Sequence, residues 1–307
     1  MNGTSDLAAL SPAALAARER AIARRYMGKL SLPMVVWPFV NTACWLALWP
    51  LALSGVMPLW AACAVAFVNV TLAYLPSHEA QHDIYARPGE KLRWLNQSIG
   101  HLSLIPLALS YRLLRETHME HHKNTNHPDL DPDYLYNGGR NGLETIWRMI
   151  RSFQPGSPYA AAYTDAMERL GTPEAEKALR DQALWLILHN GILFVCAFYG
   201  LALEALLLWW LPLKAGSLYI RYYLSWLPHR PGREIGRYRD TREFSSWLGV
   251  WSSLGMTAHI VHHLYPRIPL DKTPAAMRAL YPILQARGCD LLDPLTPHQD
   301  DAPPRAA

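Results

Sequence analysis

An all-α integral membrane protein of about four transmembrane helices is the fold class the sequence predicts, on three observations. Half of the 307 residues are hydrophobic and 18% are charged, and the apolar ones gather in blocks. Two early blocks each approach the ~20 residues a helix needs to cross ~30 Å of hydrocarbon, and one late block is long enough for two. Eight of the 13 histidines fall in three short windows at helical spacing.

The elements follow in chain order. Residues 1–29 lack an apolar core followed by a cleavage site, so an amphipathic lead-in helix is expected rather than a signal peptide. The blocks 30–53 and 58–76, joined by the uncharged link SGVM, predict a transmembrane hairpin. The segment 77–182 is polar and bears histidines. Within it, 99–114 is apolar but short and broken by Pro106, which suits an interfacial or re-entrant position. A loop followed by the short helix TPEAEKALRDQA is expected over 155–182. The stretch from Ala183 to Leu227 splits near Gly200 into spans at 183–200 and 202–226. Lys214 and Arg221 in the second either snorkel or line a polar cavity. One membrane domain thus covers 30–285, and 286–307 form a tail.

Charge sets the topology. The turns at 54–57 and near 200 contain no Lys or Arg, whereas the N-terminus, the middle segment and the C-terminal third are rich in both. The positive-inside rule puts these three regions, with every histidine window, on the cytoplasmic side. The net charge of +4 comes with no basic motif for nucleic acid, and none is expected as a partner. RERAIARR (18–25) and RPGREIGRYRDTR (230–242) suit a membrane face. Cys44, Cys63, Cys196 and Cys289 show no CxxC pair and read as core residues.

The windows are His78 and His82; His118, His121 and His122; and His259, His262 and His263. Spacings of i, i+3 and i+4 put imidazoles on one helix face, where neutral ring nitrogens suit first-row transition metals. His229, in WLPHRPG, is a ninth. Nine nitrogens exceed what one ion takes and suit two ions side by side. A nitrogen-rich, thiolate-free site fits iron, copper or zinc. His101, His127, His189 and His298 are neighbours or ordinary histidines. The string HEAQH also matches a zinc protease signature, with Glu79 as general base. That remote alternative leaves six clustered histidines without a role, and no later aspartate in an apolar helix supplies its third ligand. Asp83, Asp131, Asp133 and Asp240 lie near the windows and are candidates to hold the outer ring nitrogens.

At these windows the sequence resembles the membrane fatty acid desaturase superfamily, whose members carry three histidine boxes. The likeness runs from about Leu30 to Leu280. It implies four transmembrane helices under a cytosolic helical cap and two iron ions. The ligands it implies are His78, His82, His118, His121, His122, His259, His262 and His263, with His229 in an extra position. THMEHHKNTNHPDLDPD (117–133), WLPHRPG (226–232), GRYRDTR (236–242) and HHLYPRIP (262–269) are similar to bacterial carotenoid ring hydroxylases and ketolases. The residues after the third box, LDKTP, depart from the aromatic pair usual there.

The resemblance implies dioxygen-dependent oxidation of a C–H bond in a lipid or isoprenoid hydrocarbon, in a bacterial inner membrane with the site facing the cytoplasm. Desaturation or hydroxylation of an acyl chain and modification of a carotenoid ring both remain open. No CxxC cluster, haem motif or GxGxxG is present, so electrons are expected from a ferredoxin-like or other small carrier with its reductase. Arg230, Arg233, Arg237 and Arg239 suit either that acidic carrier or lipid headgroups. Trp37, Trp45, Trp209 and Trp210 suit either a substrate tunnel or an interfacial belt. A protein that merely stores or senses metal is the non-enzymatic alternative.

Overall fold

The computed structural model of the chain describes residues 7, 10–230, 232, 234–245 and 255–292. Arg233, His298 and most of the expected tail lie outside the described residues. Among the described residues every regular element is helical.

Helix α1 (Pro12–Arg24) starts where the Ser11 hydroxyl accepts the Ala14 N–H and Pro12 presets the first turn. Helices α2 (Leu32–Leu53) and α3 (Leu59–Gln81) form the expected hairpin. Their apolar faces would pack without preferred register, and a buried polar clamp supplies one. Asn69 Nδ2 donates to Asn41 Oδ1 (2.6 Å), and Asn41 Nδ2 donates to the Asn69 carbonyl (2.9 Å). Helix α3 runs five residues past the span expected at 58–76, because PSHEAQ continues its turns, and so carries His78 inside a helix.

Helices α4 (Arg93–Ser103) and α5 (Tyr111–Asn124) take up the two ends of the apolar stretch 99–114, whose middle is a largely buried turn. The Ser110 hydroxyl caps α5 by accepting the Leu113 N–H. Two short helices follow, α6 (Tyr134–Asn137) and α7 (Gly142–Arg151). The loop expected after residue 155 is helical instead: α8 (Pro158–Leu170) is built of good helix formers. The short helix expected before residue 182 is the first part of α9 (Pro173–Phe198). Thr172 caps α9, Pro173, Glu174 and Glu176 occupy its first turn, and the helix runs through Gly191 to end just before Gly200.

Among the described residues three helices, α2, α3 and α9, are long and apolar enough to cross a membrane. After them a continuous helical path runs from Ala202 to His229: α10 (Ala202–Ala205), a π segment (Leu206–Trp210), α11 (Leu211–Ile220), a second π segment (Arg221–Trp226) and α12 (Leu227–His229). Such wide turns occur where a helix absorbs an irregularity, often at functional sites. Helix α13 (His259–Leu264) and α14 (Thr273–Ala286) close the fold. Glu19 of α1 is buried there and accepts from Tyr265 Oη (2.7 Å) and Arg287 Nε (2.6 Å).

Tryptophans solve a problem that prolines create. A proline inside a helix leaves the carbonyl four residues earlier without its donor, which is severe in hydrocarbon. Pro76 so exposes Leu72, and Trp37 Nε1 donates to that carbonyl (3.2 Å). Pro212 exposes Leu208, and Trp45 Nε1 donates there (3.3 Å). Trp209 Nε1 reaches the Pro106 carbonyl (2.9 Å). These three side chains tie helices together and do not line the cavity described below. Trp45→Phe is therefore expected to lower stability by about 1–3 kcal/mol, the loss for a buried group left unpaired. Trp60→Phe, at a position 75% exposed, should leave it unchanged. Thermal unfolding in detergent checks both.

Candidate metal centre

Helix α3 delivers His78 and, at its end, His82. Helix α5 presents His118, His121 and His122, α12 ends on His229, and α13 carries His259, His262 and His263. These four elements bring all nine imidazoles together. In one nest, His82 Nε2 lies 2.9 Å from His118 Nε2, His122 Nε2 lies 3.2 Å from His118 Nε2, and His262 Nε2 lies 3.0 Å from His122 Nε2. His78 joins this nest, its ring 4.5 Å from that of His262. In the adjoining nest, His229 Nε2 lies 3.2 Å from His121 Nε2 and 3.1 Å from His259 Nε2. His263 belongs to it too, and its ring stacks on His122 at 4.0 Å, where the nests meet.

The outer nitrogens fix the direction of the inner ones. Asp131 Oδ1 lies 2.9 Å from His121 Nδ1; a carboxylate only accepts, so Nδ1 carries the hydrogen and Nε2 is the nitrogen left to face a metal. Asp131 also accepts the N–H groups of Asn126 (2.8 Å) and Asp133 (2.9 Å), which locks the DLDPD turn under α5. His229 Nδ1 faces the main-chain carbonyl of Asp240 at 3.2 Å. Thr125 Oγ1 lies 3.4 Å from His263 Nδ1, and Met256 Sδ lies 3.3 Å from His259 Nδ1. Thr125 and Met256 escaped sequence reasoning, because only carboxylates stood out as partners.

The four aspartates thus separate. Asp131 meets a ring directly. Asp240 does so through its carbonyl and not its carboxylate. Asp133 Oδ2 stays 3.9 Å from His121 Nδ1 and lines a cavity. Asp83 turns away: its left-handed backbone (φ +54°) aims the carboxylate at Arg93 and Arg115. Of the other histidines, His101 packs on Tyr111, His189 on Trp209, and His127 accepts the Asp129 N–H; none joins a nest.

Electrostatics favours neutral rings. Burial, reinforced by neighbouring imidazoles, holds His82, His118, His122, His259, His262 and His263 well below the usual histidine range, and His229 falls to about 3. Burial opposes charge on His121 as well, but the Asp131 carboxylate outweighs it and pushes the ring up to about 9. Burial pushes Asp133 up and, less strongly, Asp131 adds to the rise.

A run of Nε2 atoms about 3 Å apart, from rings that burial keeps largely neutral, offers several lone pairs to a cation placed between them. The same spacing is what ligands sharing an ion at about 2.1 Å adopt. The all-nitrogen donor set fits a first-row transition metal. Glu79 stands outside it: Oε1 accepts the Leu270 N–H at 2.8 Å, tying α3 to the segment beyond α13. Glu79→Gln keeps an acceptor and is expected to change activity by no more than a few-fold. A general-base role, as in the protease alternative, would lose at least about 100-fold; product formation per chain distinguishes them.

A cavity of about 130 Å³ ends on His78, His118, His121 and His259. Leu107, Leu113, Leu114 and Leu224 give it an apolar lining, and Ser217, Arg221, Ser225, Asp133 and Tyr163 a polar one.

Residues 54–290, which include every histidine window, match the family model described as Fatty acid desaturase. The chain is 24% identical over 213 residues to the sn-1 oleoyl-lipid 12-desaturase of Picosynechococcus sp., covering 61% of this chain and 60% of that one. It is 24% identical over 241 residues to the Zeaxanthin 4-ketolase of Chlamydomonas reinhardtii, covering 74% and 46%. A shorter match, 36% over 61 residues, covers 20% of this chain and 16% of the sn-1 acyl-lipid omega-3 desaturase (ferredoxin) of Nostoc sp.. The chain spans about half to three-fifths of the length of the first two relatives. With the match running over most of the sequence and through all of its histidine windows, the chain belongs to the fatty acid desaturase family.

Proposed function

We propose that this protein is a membrane-bound, dioxygen-dependent di-iron oxidoreductase that oxidises a C–H bond of a lipid, by desaturation or hydroxylation of an acyl chain. The observation that carries the reading is the meeting of nine imidazoles, from four elements, in two adjoining nests at the end of a largely apolar cavity. His78, His82, His118, His122 and His262 hold one iron, and His121, His229, His259 and His263 the other. Iron bound there would supply the activation of dioxygen that oxidation of an unactivated C–H bond needs. The protein supplies position and dryness. Asp131 holds His121 in the ligating tautomer, the leucine lining excludes water, and the cavity places the chain beside His118 and His121.

The helical path from Ala202 to Trp226 is the fourth span, and the histidine-bearing helices outside the spans, α5 and α13 with the short α12, form the cytosolic cap. The site faces the cytoplasm, in a bacterial inner membrane. Electrons come from a separate small carrier, ferredoxin being the kind named for the Nostoc relative.

A second reading is a carotenoid ring hydroxylase or ketolase, favoured by the strings at 117–133 and 226–232 and by likeness to the algal ketolase. Expression in hosts making fatty acids or carotenoids, followed by mass spectrometry of new products and metal analysis, tests both. Two irons per chain with an oxidised lipid is the expected result. A single zinc with no new product would overturn the reading and favour a protease or a metal store.

A further inference from the structure

The polar side of the cavity has a single focus. Ser217, Arg221 and Ser225 recur at fourfold spacing along the last helical path, and Ser225 comes closest to Asp133. Ser225 Oγ lies 3.4 Å from Asp133 Oδ2 and 3.1 Å from Asn137 Oδ1. Tyr163 Oη donates to Asp133 Oδ1 at 2.8 Å. A carboxyl group accepts several hydrogen bonds whether ionised or protonated, so Asp133 retains room for another donor. Its side chain is 16% exposed, and the cavity is where it lies. Oδ2 sits 3.9 Å from His121 Nδ1, so whatever meets Asp133 lies beside the metal nests.

A plain hydrocarbon entering this space would leave the remaining acceptor sites of Asp133 and Ser225 shut away from any donor. Each unmet polar group costs about 1–3 kcal/mol. Sites built around a substrate hydroxyl reject the analogue lacking it for the same reason. We propose that the substrate carries a hydroxyl group, held by Asp133 and Ser225 next to the carbon that is oxidised. The cavity therefore selects an alcohol-bearing lipid or isoprenoid over the plain hydrocarbon of the same skeleton. The inference rests on the oxidoreductase reading above, but it is tested by binding.

The experiment uses the full chain in nanodiscs and two matched probe pairs: zeaxanthin with β-carotene, and 12-hydroxystearic with stearic acid. In the pair that the cavity admits, the hydroxylated member is expected to bind about tenfold tighter or more, as one good hydrogen bond implies. Ser225→Ala should bring that ratio within about twofold, Ser225→Thr should restore it, and Tyr163→Phe should reduce it. Iron content, unchanged in all three variants, shows that they fold. Equal binding within a pair, a ratio untouched by Ser225→Ala and Tyr163→Phe, or no binding of any probe would each overturn the proposal. A simple tie between helices would lower stability on substitution and leave the ratio alone. Failure of the oxidoreductase reading shows separately, as bound ligand that is recovered unoxidised under dioxygen with a reductant. The pair that binds also tells an acyl from an isoprenoid substrate.

Discussion

His262→Ala is expected to lose at least half of the iron bound per chain and more than about 100-fold of the activity. Losing an outer partner of a ligand typically costs about 10–100-fold, and losing the ligand itself costs more. His262 is a sharp choice because its nitrogen belongs to two of the three close histidine groups: with His78, His82 and His118, and with His122 and His263. Its removal therefore disturbs one nest and the junction with the other. The ring is only 2% exposed, so solvent has little access to take its place. His101→Ala is the control: that ring packs on Tyr111 at 5.0 Å, outside both nests, and iron should be retained. Metal analysis of the purified variants, with helical content as a check on folding, measures both. Full iron in His262→Ala would strike that residue from the ligand set.

Asp131→Ala should reduce iron affinity by about 10–100-fold, the usual effect of losing the group that orients a histidine ligand. Two losses combine. His121 loses the acceptor that fixes its tautomer, and the N–H groups of Asn126 and Asp133 lose theirs. The turn they form also places Asp133 in the cavity, so stability should fall by about 1–3 kcal/mol. Asp131→Asn keeps an acceptor without the charge, and it should fall between wild type and alanine in both measurements. Asp83→Ala offers a contrast. Its carboxylate pairs with Arg93 and Arg115, each side chain about a quarter exposed, and touches no ring. Iron affinity should hold, with a modest drop in stability. Titration with Fe(II) under nitrogen separates the two aspartates, and equal affinity loss in both would remove the special role of Asp131.

Much of the molecule was legible in the sequence because its signals are local. Apolar blocks of span length became α2, α3 and the later half of α9, and the i, i+3, i+4 spacings became shared helix faces in α5 and α13. Proximity along the chain ranked four aspartates equally, whereas the fold separated them through turn geometry: a left-handed residue at Asp83, and a locked turn at Asp131. The tryptophans misled for a similar reason. An indole in an apolar stretch suits a tunnel, a belt or a helix tie, and only the packing shows that Trp37 and Trp45 serve carbonyls opened by prolines on other helices.

By itself the sequence determined the class of protein, the helical presentation of its histidines and the nitrogen-only character of the donors, because each depends on residues within a few turns of one another. Tertiary structure alone decided which nitrogens face each other, as His122 and His262 do across 140 residues, and which polar groups share the cavity with the leucines. Those relations depend on the angle and depth at which helices pack. That is set by the summed contacts of entire faces, such as Gly216 seated against Val70, and no periodicity along the chain encodes it.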